Sequence, residues 1–244
     1  MIRIGNFLFH YRNGLFPIVY ALLLPKSPAL LQNYWLAAVL GFGVALAGQI
    51  LRFVTIGLEY IIRGGRGRQV YADHLVQGGV FAHCRNPLYV GNYVILLGVG
   101  LASNSLLFIG IALPFFVFAY AAIIAAEENY LRGKFGPEFE AYCSRVNRLV
   151  PNFAGFGKTL QGMRFNWRRV ITAEYGSTYI WLLAVTLVAL KNVWLSGDYK
   201  MGEPTVVGLW VLLGLVTVAY LAARILKKGR FLGDHVKSGS YSAT

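Results

Sequence analysis

The sequence predicts an all-α, polytopic integral membrane protein with about six transmembrane helices and a cytoplasmic amphipathic helix. Of its 244 residues, 57% are hydrophobic and only 14% are charged, whereas soluble domains carry about 25% charged residues. Several apolar runs reach the roughly 20 residues that cross a bilayer. The residues behind the net charge of +13 lie mostly between those runs, which is typical of a cytoplasmic membrane face and argues against nucleic-acid binding.

Six apolar segments are candidate spans. The first, which starts at Gly14, is the weakest candidate because Pro17, Pro25 and Lys26 interrupt it. The segment that starts at Leu88 is shorter than the others and needs its flanking residues to reach spanning length. The four long runs begin at Tyr34, Leu106, Tyr179 and Thr205.

The connecting segments alternate between few and many basic residues. None lies in 103–105, whereas eight Lys and Arg residues lie from Arg132 to Arg169. Because positive charge collects on the cytoplasmic side, the pattern predicts that both termini are cytoplasmic, together with the polar segments 60–80 and 127–170. The N-terminal stretch lacks an apolar core followed by a cleavage site, so we expect no removable signal peptide.

Apolar residues recur at spacings of three and four from Tyr130 to Leu149, which predicts an amphipathic helix. Gly136 and Pro137 interrupt this helix after one or two turns, and Pro151 ends it. The tail after Arg230 is small and polar, so we expect it to be disordered.

The stretch HCRNPLYVGN, residues 83 to 92, predicts the start of a helix. A residue before proline is pushed away from the α region, and proline is favoured at the first helical position. Asn86 would therefore cap a helix that begins at Pro87. Arg85 would mark the cytoplasmic interface.

Two carboxylates, Glu127 and Glu128, directly follow the apolar run from Leu106. Ionisable groups at a membrane boundary are usually paired or functional. Arg132 lies four residues after Glu128, so an ordinary ion pair within the helix is the simplest expectation there. Glu127 points about 100° away from Glu128 and lacks such a partner in its own helix, which makes it the stronger functional candidate.

The two polar segments and the span between them resemble the isoprenylcysteine carboxyl methyltransferases and the related phospholipid methyltransferases. That family shows a G-x-[YF] turn, R-H-P-x-Y-x-G, and then a Glu pair followed by a spaced Leu, Phe-Gly, aromatic, Val-x-Arg and Pro pattern. The resemblance covers roughly a third of the chain. The matching residues are Gly79, Phe81, Arg85, Pro87, Tyr89, Gly91, Glu127, Glu128, Leu131, Phe135, Gly136, Phe139, Tyr142, Val146, Arg148 and Pro151.

The resemblance implies that S-adenosylmethionine is the methyl donor and that the acceptor is a lipid or lipid-like molecule taken from the bilayer. It divides the chain into N-terminal transmembrane helices (1–69), a cofactor-binding core (70–153) and a C-terminal extension (154–244). The resemblance further implies that the cofactor is bound by Asp73, His74, Leu75, Val76, Phe81, Asn86, Pro87, Leu88, Tyr89 and Glu127.

Two positions depart from the family pattern. Asn86 replaces the usual histidine and cannot titrate near neutral pH. Ile123 stands where members that act on prenylcysteine carry a substrate-binding arginine, which argues against that acceptor. As catalytic candidates we take Arg85 and Arg132, which would hold an anionic acceptor group, and Glu128, which with Tyr89 is a candidate base for an amine acceptor.

Alternatives remain open from the sequence. An NADPH-dependent membrane reductase of the sterol or steroid type has a related pattern, and a transporter or other non-catalytic membrane protein would retain the scaffold. His74 and His83 lack a third ligand at regular spacing, so we expect no metal site. The two cysteines, Cys84 and Cys143, are expected to be reduced on the cytoplasmic side.

The C-terminal extension lies outside the resemblance. Arg164, Arg168 and Arg169, with Phe165 and Trp167 interleaved, predict an interfacial helix on anionic headgroups. The two spans that follow would widen the lipid-facing cavity, select the substrate or mediate oligomerisation.

Overall fold

The computed structural model describes residues 1–59 and 70–228. These ranges contain no strand, so the all-α prediction is confirmed. The basic residues from Arg63 to Arg68 and the tail after Arg230, for which we expected disorder, lie outside the described residues. Eight α-helices occur in the described ranges: α1 Ile2–Tyr20, α2 Tyr34–Leu58, α3 Pro87–Ser103, α4 Leu113–Phe135, α5 Pro137–Arg145, α6 Phe156–Gln161, α7 Trp167–Leu195 and α8 Pro204–Lys228.

Four helices of the described chain are long and apolar enough to cross a membrane. The helix α3 is apolar but has only 17 residues. The helix α1 begins at Ile2, well before Gly14, and so includes the charged residues Arg3 and Arg12. Four of the six predicted spans are therefore confirmed by length and composition, and the count of six is not. The four confirmed spans are Tyr34–Leu58, Phe108–Phe135, Trp167–Leu195 and Pro204–Lys228.

Asparagine side chains cap the N-termini of two of the long helices. The Oδ1 of Asn33 accepts the N–H of Leu36 at 3.0 Å and starts α2. The Oδ1 of Asn166 accepts the N–H of Arg169 at 3.0 Å and starts α7. Such caps satisfy N–H groups that have no partner within the helix. Arg168 and Arg169, for which an interfacial helix was predicted, lie in the first turn of α7.

The predicted amphipathic helix is divided between two elements. Gly136 has a φ of +49°, which ends α4 and starts α5, so the predicted break is confirmed. The helix α5 then ends at Arg145, so that Val146 and Leu149 lie beyond it and Pro151 is not what stops it. The carbonyls at the end of α5 are bound by a distant arginine, which is described with the site below.

The helices α2 and α3 pack with almost no side chain between them. A Cβ added at Gly41 would lie 2.2 Å from the backbone N of Ala102, and one added at Gly98 would lie 2.3 Å from the backbone N of Ala45. Small residues allow this close backbone approach, which drives helix association in a bilayer. The position of α3 is therefore fixed by α2.

The helix α1 packs against α4 in the same way. A Cβ added at Gly5 would lie 2.0 Å from the carbonyl O of Ala122. Leu8 and Phe9 of α1 and Ile123 of α4 belong to one buried cluster. The departure at Ile123 thus has a structural reason, because α1 covers this face of α4 with apolar side chains.

The helix α8 packs on α7 through aromatic rings. The ring of Tyr220 stacks on those of Tyr179 and Tyr175, with centroid distances of 4.4 and 5.5 Å. Val206 is buried, whereas large apolar side chains such as Val211 and Leu215 are exposed. This is the composition of a helix whose outer faces meet lipid.

Replacing Gly98 with Ala tests the contact between α2 and α3. The new methyl group would meet a backbone atom, which cannot move aside as a flexible side chain can. We expect a loss of about 1–3 kcal/mol in the free energy of unfolding, measured by thermal or denaturant unfolding in detergent. Gly43→Ala is the matched control, because nothing lies within 4 Å of its added Cβ and alanine favours the helix. Equal stability of the two variants would contradict the packing described.

Candidate functional site

Glu128 lies at the centre of an ion cluster at the polar end of α4. Its Oε1 accepts from Nη2 of Arg85 at 3.1 Å, and Nε of Arg148 lies 3.1 and 3.0 Å from its two carboxylate oxygens. The Nη2 of Arg148 also donates to Oε2. The carboxylate side chain is only 6% exposed, so two cations compensate a charge that is withdrawn from water.

The backbone around Arg85 runs beside the segment that follows α5. The N–H of Arg85 donates to the carbonyl of Asn147 at 2.9 Å, and the N–H of Asn152 donates to the carbonyl of His83 at 2.9 Å. The ring of His83 bonds the carbonyl of Asn152 at 2.7 Å and the hydroxyl of Thr159 at 2.9 Å. His83 therefore fastens two chain segments together, with both ring nitrogens engaged.

Arg85 also ends α5. Its Nη1 donates to the carbonyls of Cys143 and Val146 at 3.0 and 2.8 Å. A cation that binds the last carbonyls of a helix stabilises the C-terminal end, which explains why α5 stops there. The Nε of Arg85 is buried and is among the few buried side-chain nitrogens of the described residues without a hydrogen-bond partner.

The helix α3 begins at Pro87, as predicted, but Asn86 does not cap it with its side chain. The Nδ2 of Asn86 instead donates to the carbonyl of Arg148 at 3.1 Å and lies 3.5 Å from Oε1 of Glu128. The predicted cap is thus wrong, because the ion cluster takes up the amide. The positive end of α3 is left without a side-chain cap among the described residues.

Glu127 lies on the same turn of α4 and has a different environment. Its Oε1 accepts the hydroxyl of Tyr89, in the first turn of α3, at 2.7 Å. No described lysine or arginine lies within ion-pair distance of this half-buried carboxylate. The charge of Arg12, on α1, acts on both Glu127 and Tyr89. A carboxylate with free acceptor capacity therefore lies beside an uncapped helix start.

The segment 71–77 is fixed by contacts with the ends of α4 and α5. The Nζ of Lys134 donates to the carbonyl of Ala72 and lies 5.2 Å from the ring centroid of Tyr71. The Nε2 of Gln77 donates to Glu138 at 2.7 Å. Val70, just before the segment, packs against the same buried cluster as Tyr89.

The predicted site residues divide into two groups. The structure brings together Arg85, Asn86 and Glu128 in the ion cluster, and Tyr89 with Glu127 next to it. Pro87 and Leu88 form the first turn of α3. The others are not bonded to these two groups: Asp73 and His74 are exposed, Leu75 and Val76 are half-buried, Phe81 is buried with its carbonyl bound by the hydroxyl of Tyr142, and Arg132 pairs with Glu140 instead of Glu128.

Both cysteines lie at this site without the properties of reactive thiols. Burial raises the pKa of Cys84 and of Cys143, and the charge of Arg85 opposes this in each case. A protonated thiol is a weak nucleophile and a weak metal ligand. The described residues contain no group of three or more His, Cys, Asp or Glu side chains that could hold a metal ion.

Three contributors were missed in the sequence. Arg148 matches the family pattern, but nothing local indicated that it binds Glu128 across 20 residues. Arg12 was visible as an arginine just before the weakest apolar segment. Glu174 lies before the apolar run that starts at Tyr179, and nothing in the residues around it indicated that it is buried and paired with Arg52.

Comparison with known proteins supports the resemblance seen in the motifs. The family model of phospholipid methyltransferases matches residues 36–138. This segment matches the phospholipid methyltransferase family. It contains α2, α3, α4 and the carboxylates Glu127 and Glu128, whereas Arg148 and the helices α7 and α8 lie beyond it. We call residues 36–138 the methyltransferase segment.

Several proteins are similar to the chain at modest identity. The nickel-cobalt-cadmium resistance protein NccN of Alcaligenes xylosoxydans xylosoxydans is 29% identical over 156 residues, 63% of this chain and 70% of the relative. The cobalt-zinc-cadmium resistance protein CzcN of Cupriavidus metallidurans is 28% identical over 62% of this chain and 68% of the relative. A probable protein-S-isoprenylcysteine O-methyltransferase of Oryza sativa subsp. indica is 28% identical over 54% of this chain and 68% of the relative. No solved structure matches.

Replacing Glu128 with Ala tests the ion cluster. The change leaves Arg85, which is 13% exposed, as an unpaired and largely buried cation, and we expect a loss of about 3 kcal/mol in the free energy of unfolding. Glu140→Ala is the matched control, because it breaks a pair with Arg132 in which both side chains are about half exposed, worth about 0–1 kcal/mol. Unfolding in detergent measures both. A smaller effect for Glu128 than for Glu140 would contradict a structural role for the cluster.

Proposed function

We propose that the protein is a membrane methyltransferase that uses S-adenosylmethionine to methylate a lipid or lipid-like acceptor. The observation that carries the proposal is the Glu127 carboxylate, hydrogen-bonded to Tyr89 at the uncapped start of α3. Both residues lie within the methyltransferase segment. Three features of the site each suit one part of the cofactor: the acceptor capacity of Glu127, the N–H of Leu88 at the start of α3, and the aromatic ring of Tyr89.

The donors and acceptors of the site match the polar groups of S-adenosylmethionine. The N–H of Leu88, in the first turn of α3, suits the methionine carboxylate, whereas Pro87 has no N–H and the N–H of Tyr89 donates to the carbonyl of Asn86. Glu127 accepts hydrogen bonds and suits the ribose hydroxyls or the amino group. The ring of Tyr89 suits the sulfonium cation, and the segment Asp73–Val76 would close the site from the polar side. When bound, S-adenosylmethionine supplies an electrophilic methyl group.

The protein would act mainly by positioning. Methyl transfer requires the acceptor atom, the methyl carbon and the sulfur to be held in line, which ordered binding achieves at a large rate advantage. Arg85 and Arg148 both bind Glu128, and Arg85 also binds backbone carbonyls at the end of α5, so we assign these three residues to holding α4, α5 and the start of α3 in register. Arg132 is exposed and paired with Glu140, which makes it a weaker candidate.

The acceptor decides whether a base is needed. A carboxylate acceptor attacks in its ionised form. An amine acceptor must lose a proton, and the oxygens of Glu128 are occupied by two guanidinium groups. The hydroxyl of Tyr89, which donates to Glu127 at 2.7 Å, is the better placed base. Its oxygen would accept the proton of the amine while the hydroxyl proton passes to Glu127.

An anionic group on the acceptor would find a cation in Arg12. This arginine is half-buried on α1, its guanidinium lies 4.1 Å from the ring centroid of Phe9, and no acceptor among the described residues binds it. Its charge reaches Glu127, Tyr89 and Tyr120. We propose that Arg12 faces a lipid phosphate or carboxylate beside the methyl donor, whereas the Nε of Arg85 is buried, which makes Arg85 the weaker candidate for such a group.

The placement in the membrane is part of the proposal. We propose that both termini and the site are cytoplasmic, since the ion cluster and the basic segments lie at the same ends of the helices. We also keep the division into N-terminal helices (1–69), cofactor-binding core (70–153) and C-terminal extension (154–244). The comparisons give no support to a reductase or a transporter.

The direct assay is methyl transfer to lipid. Purified protein in nanodiscs of native lipid extract is incubated with S-adenosylmethionine that carries a deuterated methyl group, and lipids are analysed by mass spectrometry. Because two relatives are named for metal resistance, the extracts are taken from cells grown with and without cadmium. Labelled lipid supports the proposal, and thermal stabilisation by NADPH alone would favour the reductase.

Glu127→Gln is expected to weaken S-adenosylmethionine binding about 10- to 100-fold, because a charged acceptor contributes about 1.5–3 kcal/mol to its hydrogen bonds. Equilibrium binding of radiolabelled cofactor measures the effect. Glu140→Gln, an exposed carboxylate of α5 outside the site, is the control and should bind normally. Undiminished binding by the Glu127 variant would refute its role as a cofactor ligand.

Arg12→Ala is expected to raise the KM for the lipid acceptor about tenfold while the affinity for S-adenosylmethionine stays within a few-fold, since a charge-assisted hydrogen bond contributes about 1.5–3 kcal/mol. Steady-state kinetics with the labelled lipid, once identified, provide both values. Arg3→Ala, an exposed arginine of the same helix, is the control. If the affinity for S-adenosylmethionine changes while the KM for the acceptor does not, Arg12 binds the cofactor and not the acceptor.

A further inference from the structure

A second buried ion pair lies within the helical bundle. The Nε and Nη2 of Arg52, on α2, donate to the two carboxylate oxygens of Glu174, on α7, at 2.9 and 3.0 Å. The two side chains are 3% and 1% exposed. A charge at this depth is costly unless it is paired, so the pair ties α7 firmly to α2.

Each N–H group of Arg52 has an acceptor. Besides its bond to Oε1 of Glu174, Nη2 donates to the hydroxyl of Ser177 at 3.3 Å. The Nη1 donates to the carbonyl of Leu88 at 3.3 Å and to the side chain of Asn92. Arg52 therefore connects α7 on one side with the first turns of α3 on the other, and its guanidinium has a single orientation that satisfies all partners.

The contact with Leu88 reaches the candidate cofactor site. The carbonyl of Leu88 belongs to the peptide bond that leads into Tyr89, whose hydroxyl binds Glu127. Gly91 leaves room for the arginine, because an added Cβ there would lie 2.5 Å from Cγ of Arg52. The orientation of the first turn of α3 thus depends on where the guanidinium of Arg52 is held.

The carboxylate of Glu174 is itself fixed. The Nε2 of Gln49 donates to its Oε2 at 3.2 Å, and the Oε1 of Gln49 accepts from the indole of Trp181 at 3.0 Å. Trp181 is buried, so the acceptor for Arg52 cannot rotate freely. A rigid chain of contacts therefore runs from α7 through Glu174 and Arg52 to the backbone at Tyr89.

We propose that Glu174, in the C-terminal extension, is a positioning residue for the S-adenosylmethionine site. It lies outside the methyltransferase segment, which ends at residue 138, and it acts through Arg52 on the start of α3. The inference rests on the proposed function. It assigns to the C-terminal extension a role in forming the cofactor site, beyond anchoring in the bilayer.

The test compares cofactor affinity and thermal stability in nanodiscs. Glu174→Gln removes the charge that holds Arg52, and we expect its affinity for S-adenosylmethionine to fall about tenfold or more, as small misplacements of a site have large effects. Arg52→Lys keeps a cation for Glu174 and loses the branched guanidinium that reaches the carbonyl of Leu88. It should therefore be more stable than Glu174→Gln and show the same loss of affinity for S-adenosylmethionine. Glu203→Gln, an exposed carboxylate before α8, is the matched control and should behave as wild type.

A charge exchange separates positioning from simple stabilisation. The double variant Arg52→Glu with Glu174→Arg restores an ion pair between α2 and α7 but removes the guanidinium from α2. We expect thermal stability to recover relative to Glu174→Gln while affinity stays low. Recovery of affinity together with stability would overturn the proposal, as would wild-type affinity in both single variants. If the wild-type protein itself fails to bind S-adenosylmethionine, the proposed function fails instead.

Discussion

A buried carboxylate must be neutralised where α4 leaves the apolar bundle, and this requirement organises the polar end of the molecule. Glu128 is neutralised by Arg85 and Arg148, which come from before α3 and after α5. Because the same Arg85 also binds the last carbonyls of α5, one ion cluster sets the ends of three elements. The start of α3 without a side-chain cap is a consequence, since the side-chain amide of Asn86 is drawn into the cluster and does not bind the N–H of Leu88.

The helix α3 is held at both of its ends by contacts of different kinds. Glycines bring its backbone against α2, the Tyr89 hydroxyl binds Glu127 of α4, and Arg52 binds the carbonyl of Leu88. The first contact depends on small residues, whereas the other two depend on hydrogen bonds to charged groups, which are strong where water is excluded. A short helix that is fixed in this way provides a rigid edge for a small charged ligand.

Local signals predicted the parts of this arrangement that depend on neighbouring residues. Proline at the first helical position indicated the start of α3 at Pro87, and Gly136 indicated the end of α4, since each acts through its own backbone preferences. Arg132, one turn away, was the predicted partner of Glu128. The carboxylate instead pairs with Arg85 and Arg148, which lie 43 and 20 residues away along the chain. Which arginine meets which carboxylate is decided by helix packing, so the roles of Arg148 and Glu174 had no signal in the spacing of residues. Helical spacing singled out Glu127 as a functional candidate, whereas only the family motif supplied the cofactor, which composition and periodicity do not contain.

The central claim is that S-adenosylmethionine binds between Glu127, the start of α3 and the segment 71–77. Ultraviolet crosslinking of radiolabelled cofactor to the purified protein in nanodiscs, followed by peptide mapping, tests this claim most directly. The account predicts label on peptides that carry residues 71–77 or 86–89, and displacement of that label by excess S-adenosylhomocysteine. Label confined to peptides of α7 or α8, or label that the competitor does not displace, would contradict it.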